Sequence, residues 1–395
     1  MKNDKSRKLQ FLVFFLVMAS MANVYIVQPV LPILEREFGT NATIASFAIS
    51  ATILGIALAN LPFGMLADRY AVKPIILIGG FAVSLFGFFC AVTTSMGFLI
   101  LARFIQGLFI PAVTTCLVAY LARSLPIERL NIIMGSYVSA TVAGGLAGRL
   151  LGGWIHTPLH WRYAFVSASA LLLTATIVAV RWLPSEEPGT RKEARPARFI
   201  ELISRKDLLR IYLVPFSAFF VFSSVFNYLP FYLSGPPFYA STEVITLLYL
   251  SYIIGIAIGP VAGTLSNRLS NGATMALGAV VFGISIAITI IKSVPLIAVS
   301  LCGICAGHFA MHTAAVGSLN RKVSSGQGRA NSLYVLFYYL GGAIGITLSG
   351  YAYSIAGWTG VVALGCIVLL LPLLTGIIEN RLAPQGESRQ TYPSR

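Results

Sequence analysis

Twelve apolar runs follow one another with little chain between them: 10–32, 44–67, 75–95, 97–121, 132–155, 162–182, 210–233, 243–266, 273–292, 294–318, 330–353 and 358–379. A run of about 20 residues, wound as a helix, crosses a hydrocarbon core of about 30 Å. No water reaches that core, so each run must satisfy its own backbone groups, and a helix does this within one segment. Charged residues make up only 10% of the chain and mean hydropathy is +0.82. A water-soluble domain of this length needs far more charge on its surface. The pattern predicts an all-α polytopic membrane protein.

The net charge of +15 raises nucleic acid as a partner, and its distribution argues against it. With both termini placed in the cytoplasm, only Arg36, Arg162 and Lys292 fall outside. Arg103 and Arg149 fall within runs, and every other Lys and Arg lies on the cytoplasmic side. This is the positive-inside pattern, and it sets the orientation. The basic residues then meet anionic lipid headgroups. Lys2 to Lys8 followed by an apolar stretch resembles a signal peptide. The run continues well past Ala22, so an uncleaved first helix is expected. All five cysteines lie within runs and read as small packing residues.

The one long polar stretch, about 183–209, divides the runs six and six. We expect an N-terminal bundle over 1–182, a cytoplasmic linker over 183–209 and a C-terminal bundle over 210–395. Ile200 to Leu209 reads as a solvated tether or as a short amphipathic helix on the membrane surface.

The halves repeat each other. Gly64-Met65-Leu66-Ala67-Asp68-Arg69 ends the second run, and Gly263-Thr264-Leu265-Ser266-Asn267-Arg268 ends the eighth. Gly144, Gly145, Gly148 and Gly153 match Gly341, Gly342, Gly345 and Gly350 at an offset of 197, as Trp161 matches Trp358. Arg129 and Asn131 match Arg329 and Asn331 at 200. Two pseudo-symmetric six-helix bundles follow from this duplication. Glycines at helical spacing, including Gly255, Gly259 and Gly263, predict close helix packing.

Asp68 stands at the C-terminal end of a helix, the negative end of its dipole. It is tolerated more easily if a cation or another helix N-terminus meets it; the alternative is a solvated loop carboxylate. Arg69 and Lys73 are local candidates, and a contact from the other bundle would latch the cytoplasmic side. The second copy carries neutral Asn267.

Residues 64–73 resemble the loop signature of the major facilitator superfamily, Gly-x-Leu-x-Asp-Arg-x-Gly-Arg-Lys/Arg, with Ala71 and Val72 departing from it. Leu101-x-Arg103-x-x-Gln106-Gly107 resembles the fourth-helix motif of its 12-helix drug:proton antiporter branch. Gly144 to Gly153 resembles that branch's fifth-helix motif, with Arg149 in place of a proline, as in the YnfM-type bacterial exporters. The resemblance implies twelve transmembrane helices and transport of a small molecule coupled to protons. It also implies that the first, fourth, seventh and tenth helices line a cavity. On that basis Asn23, Tyr25, Gln28, Asn227 and Tyr228 are candidate cavity residues, with Tyr334 and Tyr338 on the eleventh helix. Pro29 and Pro230 are expected to bend their helices.

Arg103 and Arg149 carry the charges inside runs, and burying each costs from about 2.5 to more than 10 kcal/mol unless it is paired. No Asp or Glu lies in the middle of a run. Their partners are therefore outer-end carboxylates such as Glu35 or Glu37, backbone carbonyls, water or substrate. A cavity without a carboxylate leans toward neutral or anionic cargo. His308 and His312, one turn apart, join Arg103, Gln106 and Arg149 as candidates for coupling. The gating candidates are Gly64, Asp68, Arg69, Lys73, Gly263, Asn267 and Arg268.

The expectation is a proton-coupled exporter of a small organic compound in a bacterial inner membrane, with both termini cytoplasmic. It is expected to be monomeric, to touch lipids and to bind no nucleic acid. Uptake of a sugar or organic anion is the alternative within the class. No GxxxxGK[ST] loop, metal motif or nucleophile–base constellation is found, so no cofactor, metal or enzymatic activity is expected.

Overall fold

The computed structural model describes residues 2–125, 127–183, 199–323 and 326–382. The linker residues 184–198 and the side chains of Arg129 and Asn131 lie outside those described. Among the described residues the chain is helical throughout, with no strand.

The first run is α1 (Lys2–Tyr25), a turn, a 3-10 segment (Gln28–Val30) and α2 (Leu31–Glu37). Pro29 sits in that 3-10 segment, where it has no amide hydrogen to leave unbonded. The next runs are α3 (Ala42–Arg69), α4 (Val72–Val92), α5 (Met96–Ser124), α6 (Ile127–His156) and α7 (Trp161–Trp182). After the linker come α8 (Phe199–Ser204) and α9 (Lys206–Ser234). The eighth run is α10 (Thr242–Leu248), a 3-10 turn and α11 (Tyr252–Arg268). The chain ends with α12 (Asn271–Ile288), α13 (Val294–Lys322) and α14 (Gln327–Leu382). Pro230 lies within α9, which runs on to Ser234. The helix continues through Pro230, whereas the first run breaks.

Ten stretches among the described residues are long and apolar enough to cross a membrane. The last of them, α14, has 56 residues, more than twice what one crossing needs. Backbone angles leave the helical region at Ala356 and Gly357, where φ of Gly357 is +58°. Only glycine adopts that conformation without strain, so the eleventh and twelfth crossings meet there. The glycine-rich α6, 30 residues long, supplies the remaining crossing.

The chain divides into two compact units. The first holds Met1–Ala194, Phe226–Leu250 and Ile346–Ile355; the second holds Arg195–Val225, Ser251–Gly345 and Ala356–Arg395. In the first, α1 packs on α6 and α7, α3 on α5, and α4 on α5 and α7. In the second, α13 packs on α11 and α12.

Close backbone approach sets the α1–α6 seam. A Cβ on Gly144, Gly148 or Gly152 would collide with backbone at Met18, Ala22 and Ile26. These three glycines are spaced four apart, which lets the helices meet without side chains between them. The second unit repeats the device: Gly341 and Gly345 rest on Phe216 and Phe220. Glycines offset by 197 therefore meet partners offset by 198. Trp161 and Trp358, the matched tryptophans, both use their indole N–H. Trp161 donates to Glu37 Oε2 at 2.5 Å and Trp358 to Thr289 Oγ1 at 2.9 Å.

The stripe in the eighth run behaves differently. Gly255 lies against the Phe309 ring, but nothing is within 4 Å of a Cβ built on Gly259 or Gly263. The tight packing expected of all three is confined to the first.

Gly148→Val is expected to lower the stability of the purified protein by on the order of 1–3 kcal/mol, the usual cost of overpacking. Gly345→Val should act alike. Gly259→Ala should stay within about 1 kcal/mol of the parent, because there the change only alters helix propensity. Thermal unfolding in detergent measures all three.

Candidate functional site

Breaking α1 at Tyr25 frees the carbonyls of its last turn. In an apolar interior those oxygens need donors. Arg103 of α5, fully buried, supplies them. Its Nη1 donates to Asn23 O at 2.7 Å, and its Nη2 donates to Val24 O. Its Nε reaches Ala48 O on α3 at 2.9 Å. A cation at the C-terminal end of α1 also meets the negative end of the helix dipole. Gln106, one turn on, accepts from Arg103 Nη1 at 2.7 Å and donates to Val83 O on α4 at 2.8 Å. The Phe165 ring lies 5.6 Å from the guanidinium. Asn23 donates to Ala19 O at 2.9 Å and to Ala168 O of α7 at 3.1 Å. Arg103 therefore takes the backbone carbonyls among the partners expected for it. Glu37 bonds Trp161 and Arg162 instead, the latter at 2.5 Å.

Arg149, 2% exposed, sits on the far side of the same break. Its Nε donates to Gln28 Oε1 at 2.7 Å and its Nη1 to Gly145 O at 2.7 Å. Its guanidinium lies 4.0 Å from the Tyr25 ring centroid and 5.4 Å from that of Tyr249. The broken segment is thus held by two arginines, one on each side, from α5 and α6.

Segments of the second sequence half complete this unit. Asn227 donates to Ser46 Oγ at 2.7 Å, Tyr228 to Ile346 O at 2.9 Å and Tyr249 to Phe226 O at 3.1 Å. Thr246 packs against Gly153. Tyr228 stacks on Tyr353 at 5.3 Å. Tyr353 in turn lines a pocket of about 450 Å³ with Glu35, Asn41, Thr43, Phe47 and Tyr351. Asn23, Tyr25, Gln28, Arg103, Gln106, Arg149, Asn227 and Tyr228 thus fall in one compact unit.

His308, His312, Tyr334 and Tyr338 fall in the other. His308 stacks on Phe222 with centroids 4.0 Å apart, and Tyr338 stacks on Phe219 at 3.9 Å. The Tyr334 hydroxyl lies 3.0 Å from His312 Nδ1. Among the described residues, buried His308 Nδ1 has no hydrogen-bond partner. The two histidine rings are 6.5 Å apart. Phe219 and Phe222, two of the rings that hold this face together, carry no polar atom and gave no sequence signal of their own.

The duplicated loop residues end their helices in both halves. Asp68 and Arg69 close α3, and Asn267 and Arg268 close α11; all four are exposed, and Lys73 is half-buried. Gly64 has only Thr115 at 3.9 Å, and Gly263 has open space. Arg69 is itself a cation in the last turn of α3, and α5 brings a second one: Arg123 donates to Ala67 O at 2.6 Å. An ion cluster around buried Glu379 escaped the sequence reading. Glu379 on α14 pairs with Lys322 of α13 at 2.9 Å and lies 3.5 Å from Arg210 of α9. Its position at the end of a span, far from its partners in sequence, hid it.

A family model described as Major Facilitator Superfamily matches residues 13–307 and 236–389. The inner membrane transport protein YnfM of Escherichia coli (strain K12) is 28% identical over 368 residues, covering 92% of this chain and 88% of that protein. The multi-drug resistance efflux pump PmrA of Streptococcus pneumoniae serotype 4 is 27% identical over 344 residues, covering 82% and 84%. Among solved structures, a bacterial homolog of the human lysosomal transporter Spinster, inward-facing and unoccupied, superposes with a TM-score of 0.81. It is 14% identical and covers 95% of this chain and 97% of that one.

Arg103→Met should leave the Asn23 and Val24 carbonyls without their donors, at about 1–3 kcal/mol each. Arg103→Lys should recover only part, because one ammonium lacks the fork that reaches three carbonyls. Thermal unfolding of the two variants beside the parent checks the order.

Proposed function

The chain belongs to the major facilitator superfamily of membrane transporters, and from there we propose that it exports a small organic compound in exchange for protons, by alternating access. The observation that carries the reading is the charge of the spans. Two buried guanidiniums, Arg103 and Arg149, flank the break in the first crossing, and no carboxylate lies mid-span to neutralise them. A site of that sign favours neutral or anionic organic cargo and disfavours lipophilic cations. Arg103, held by carbonyls, positions the segment Asn23–Gln28. Arg149, Gln28 and Tyr25 present polar atoms beside it, and cargo meets that face.

Proton exchange falls to His308 and His312, imidazoles one turn apart on α13 with rings 6.5 Å apart, whose ring nitrogens can take up and release a proton. Tyr334 holds His312 in place, and the stacked Phe219, Phe222 and Tyr338 supply flat apolar walls. The efflux function named for the PmrA relative supports export as the direction. An inner bacterial membrane with both termini cytoplasmic fits the charge pattern and the YnfM relative.

Purified protein in liposomes is expected to show counterflow of anionic or neutral aromatic compounds that rises with an imposed pH gradient. Transport indifferent to that gradient would refute proton coupling, and a preference for cations would refute the charge argument. Arg149→Gln should lower counterflow at least tenfold, a loss of about 1.4 kcal/mol or more, while size-exclusion profiles stay unchanged.

A further inference from the structure

The short helix α8 has a face that neither transport nor packing uses. Ile200 is 77% exposed and Ile203 39%, while Leu202 is buried at 3%. Residues three apart share a helix face, so the two isoleucines point outward together. In water such a pair is unfavourable. At a bilayer surface the same pair sits among acyl chains, as in interfacial amphipathic helices.

The height of α8 places it at that surface. α9 begins at Lys206, directly after Arg205, as the first residue of a crossing. Arg205 Nη2 donates to Lys322 O, the last residue of α13, at 3.2 Å. Two crossings therefore end at the level of α8. At the other end of α8, the Arg329 guanidinium lies 5.3 Å from the Phe199 ring centroid. This end of the unit is cationic. Arg205, Lys206, Arg210, Arg321 and Lys322 outnumber the acids near them, Glu201, Asp207 and Glu379. Asp207 is engaged by the Arg205 fork, at 2.8 Å to Oδ2, and Glu379 by Lys322. Lys206 is exposed beside them. Anionic headgroups complement such a surplus.

We propose that α8 anchors the chain to anionic phospholipid, with Ile200 and Ile203 in the acyl boundary and Lys206 with Arg205 on the headgroup phosphate. The partner is the lipid of the leaflet at which α9 begins and α13 ends. This assignment is independent of cargo, direction and coupling.

The full chain carrying Ile200→Cys, labelled with bimane, tests it in nanodiscs of phosphatidylcholine with and without phosphatidylglycerol. The unsubstituted chain, whose five cysteines all lie in spans, sets the background label. The expected result is quenching by lipid bearing a shallow doxyl group and shielding from aqueous iodide, several-fold stronger with phosphatidylglycerol. Lys206→Gln with Arg205→Gln should remove the phosphatidylglycerol dependence and leave counterflow unchanged. Free access of iodide in both lipids would overturn the anchor and make α8 part of a tether. A phosphatidylglycerol effect that survives the double substitution would overturn the headgroup assignment. So would its reproduction by inorganic phosphate in phosphatidylcholine alone.

Discussion

A helix that breaks inside a hydrocarbon core exposes carbonyls that no water can satisfy. The first crossing breaks at Tyr25, and Arg103 answers the freed oxygens of Asn23 and Val24 from a neighbouring helix. Much of the first unit is arranged around that contact. Gln106 fixes the guanidinium and ties it to α4, and Ala48 brings in α3. Asn23 reaches across to α7. The charge inside the membrane is tolerated because two of its bonds satisfy the carbonyls that the break frees, Asn23 O and Val24 O, while others tie it to α3 and to Gln106.

The same contact accounts for the inequality of the two halves. α9, the seventh crossing, runs unbroken from Lys206 to Ser234. Pro230 offers no N–H to the Phe226 carbonyl, which accepts from the Tyr249 hydroxyl at 3.1 Å instead, and no arginine stands in its half where Arg103 stands in the first. What the halves share is the seam of small residues. Gly144 and Gly148 on one side, Gly341 and Gly345 on the other, let α6 and α14 lie backbone-to-backbone on the helices that open their bundles. The duplication preserves the geometry of packing, while the two buried arginines, Arg103 and Arg149, belong to the first half and the histidine pair to the second.

Several features of the site were legible in the chain because they obey local rules. Arg103 and Arg149 are conspicuous as charges in apolar runs. His308 and His312 are visible as a pair one turn apart. Pro29 and Pro230 both stood out as places to bend a helix; Pro29 lies in a break, while α9 continues through Pro230, where the Tyr249 hydroxyl bonds the Phe226 carbonyl. Backbone carbonyls were among the partners expected for Arg103, but which carbonyls was not legible. Every residue carries a carbonyl, so nothing in a sequence marks Asn23, Val24 and Ala48 as the ones that meet the guanidinium. Glu379 was hidden for a related reason: its cations, Lys322 and Arg210, lie 57 residues and more away along the chain.

Periodic and compositional properties needed no coordinates. Apolar run length determined twelve crossings, the bias of Lys and Arg set the expected orientation, and matched offsets of glycine and tryptophan revealed the duplication. These follow from how a bilayer solvates a chain, residue by residue. Tertiary structure alone decided which surfaces meet. It placed Phe226–Leu250 and Ile346–Ile355 in the compact unit of the first half, left Gly259 and Gly263 uncovered, and joined the arginines to a broken helix. Such pairings depend on the relative placement of helices that are distant in sequence, and no local periodicity encodes that.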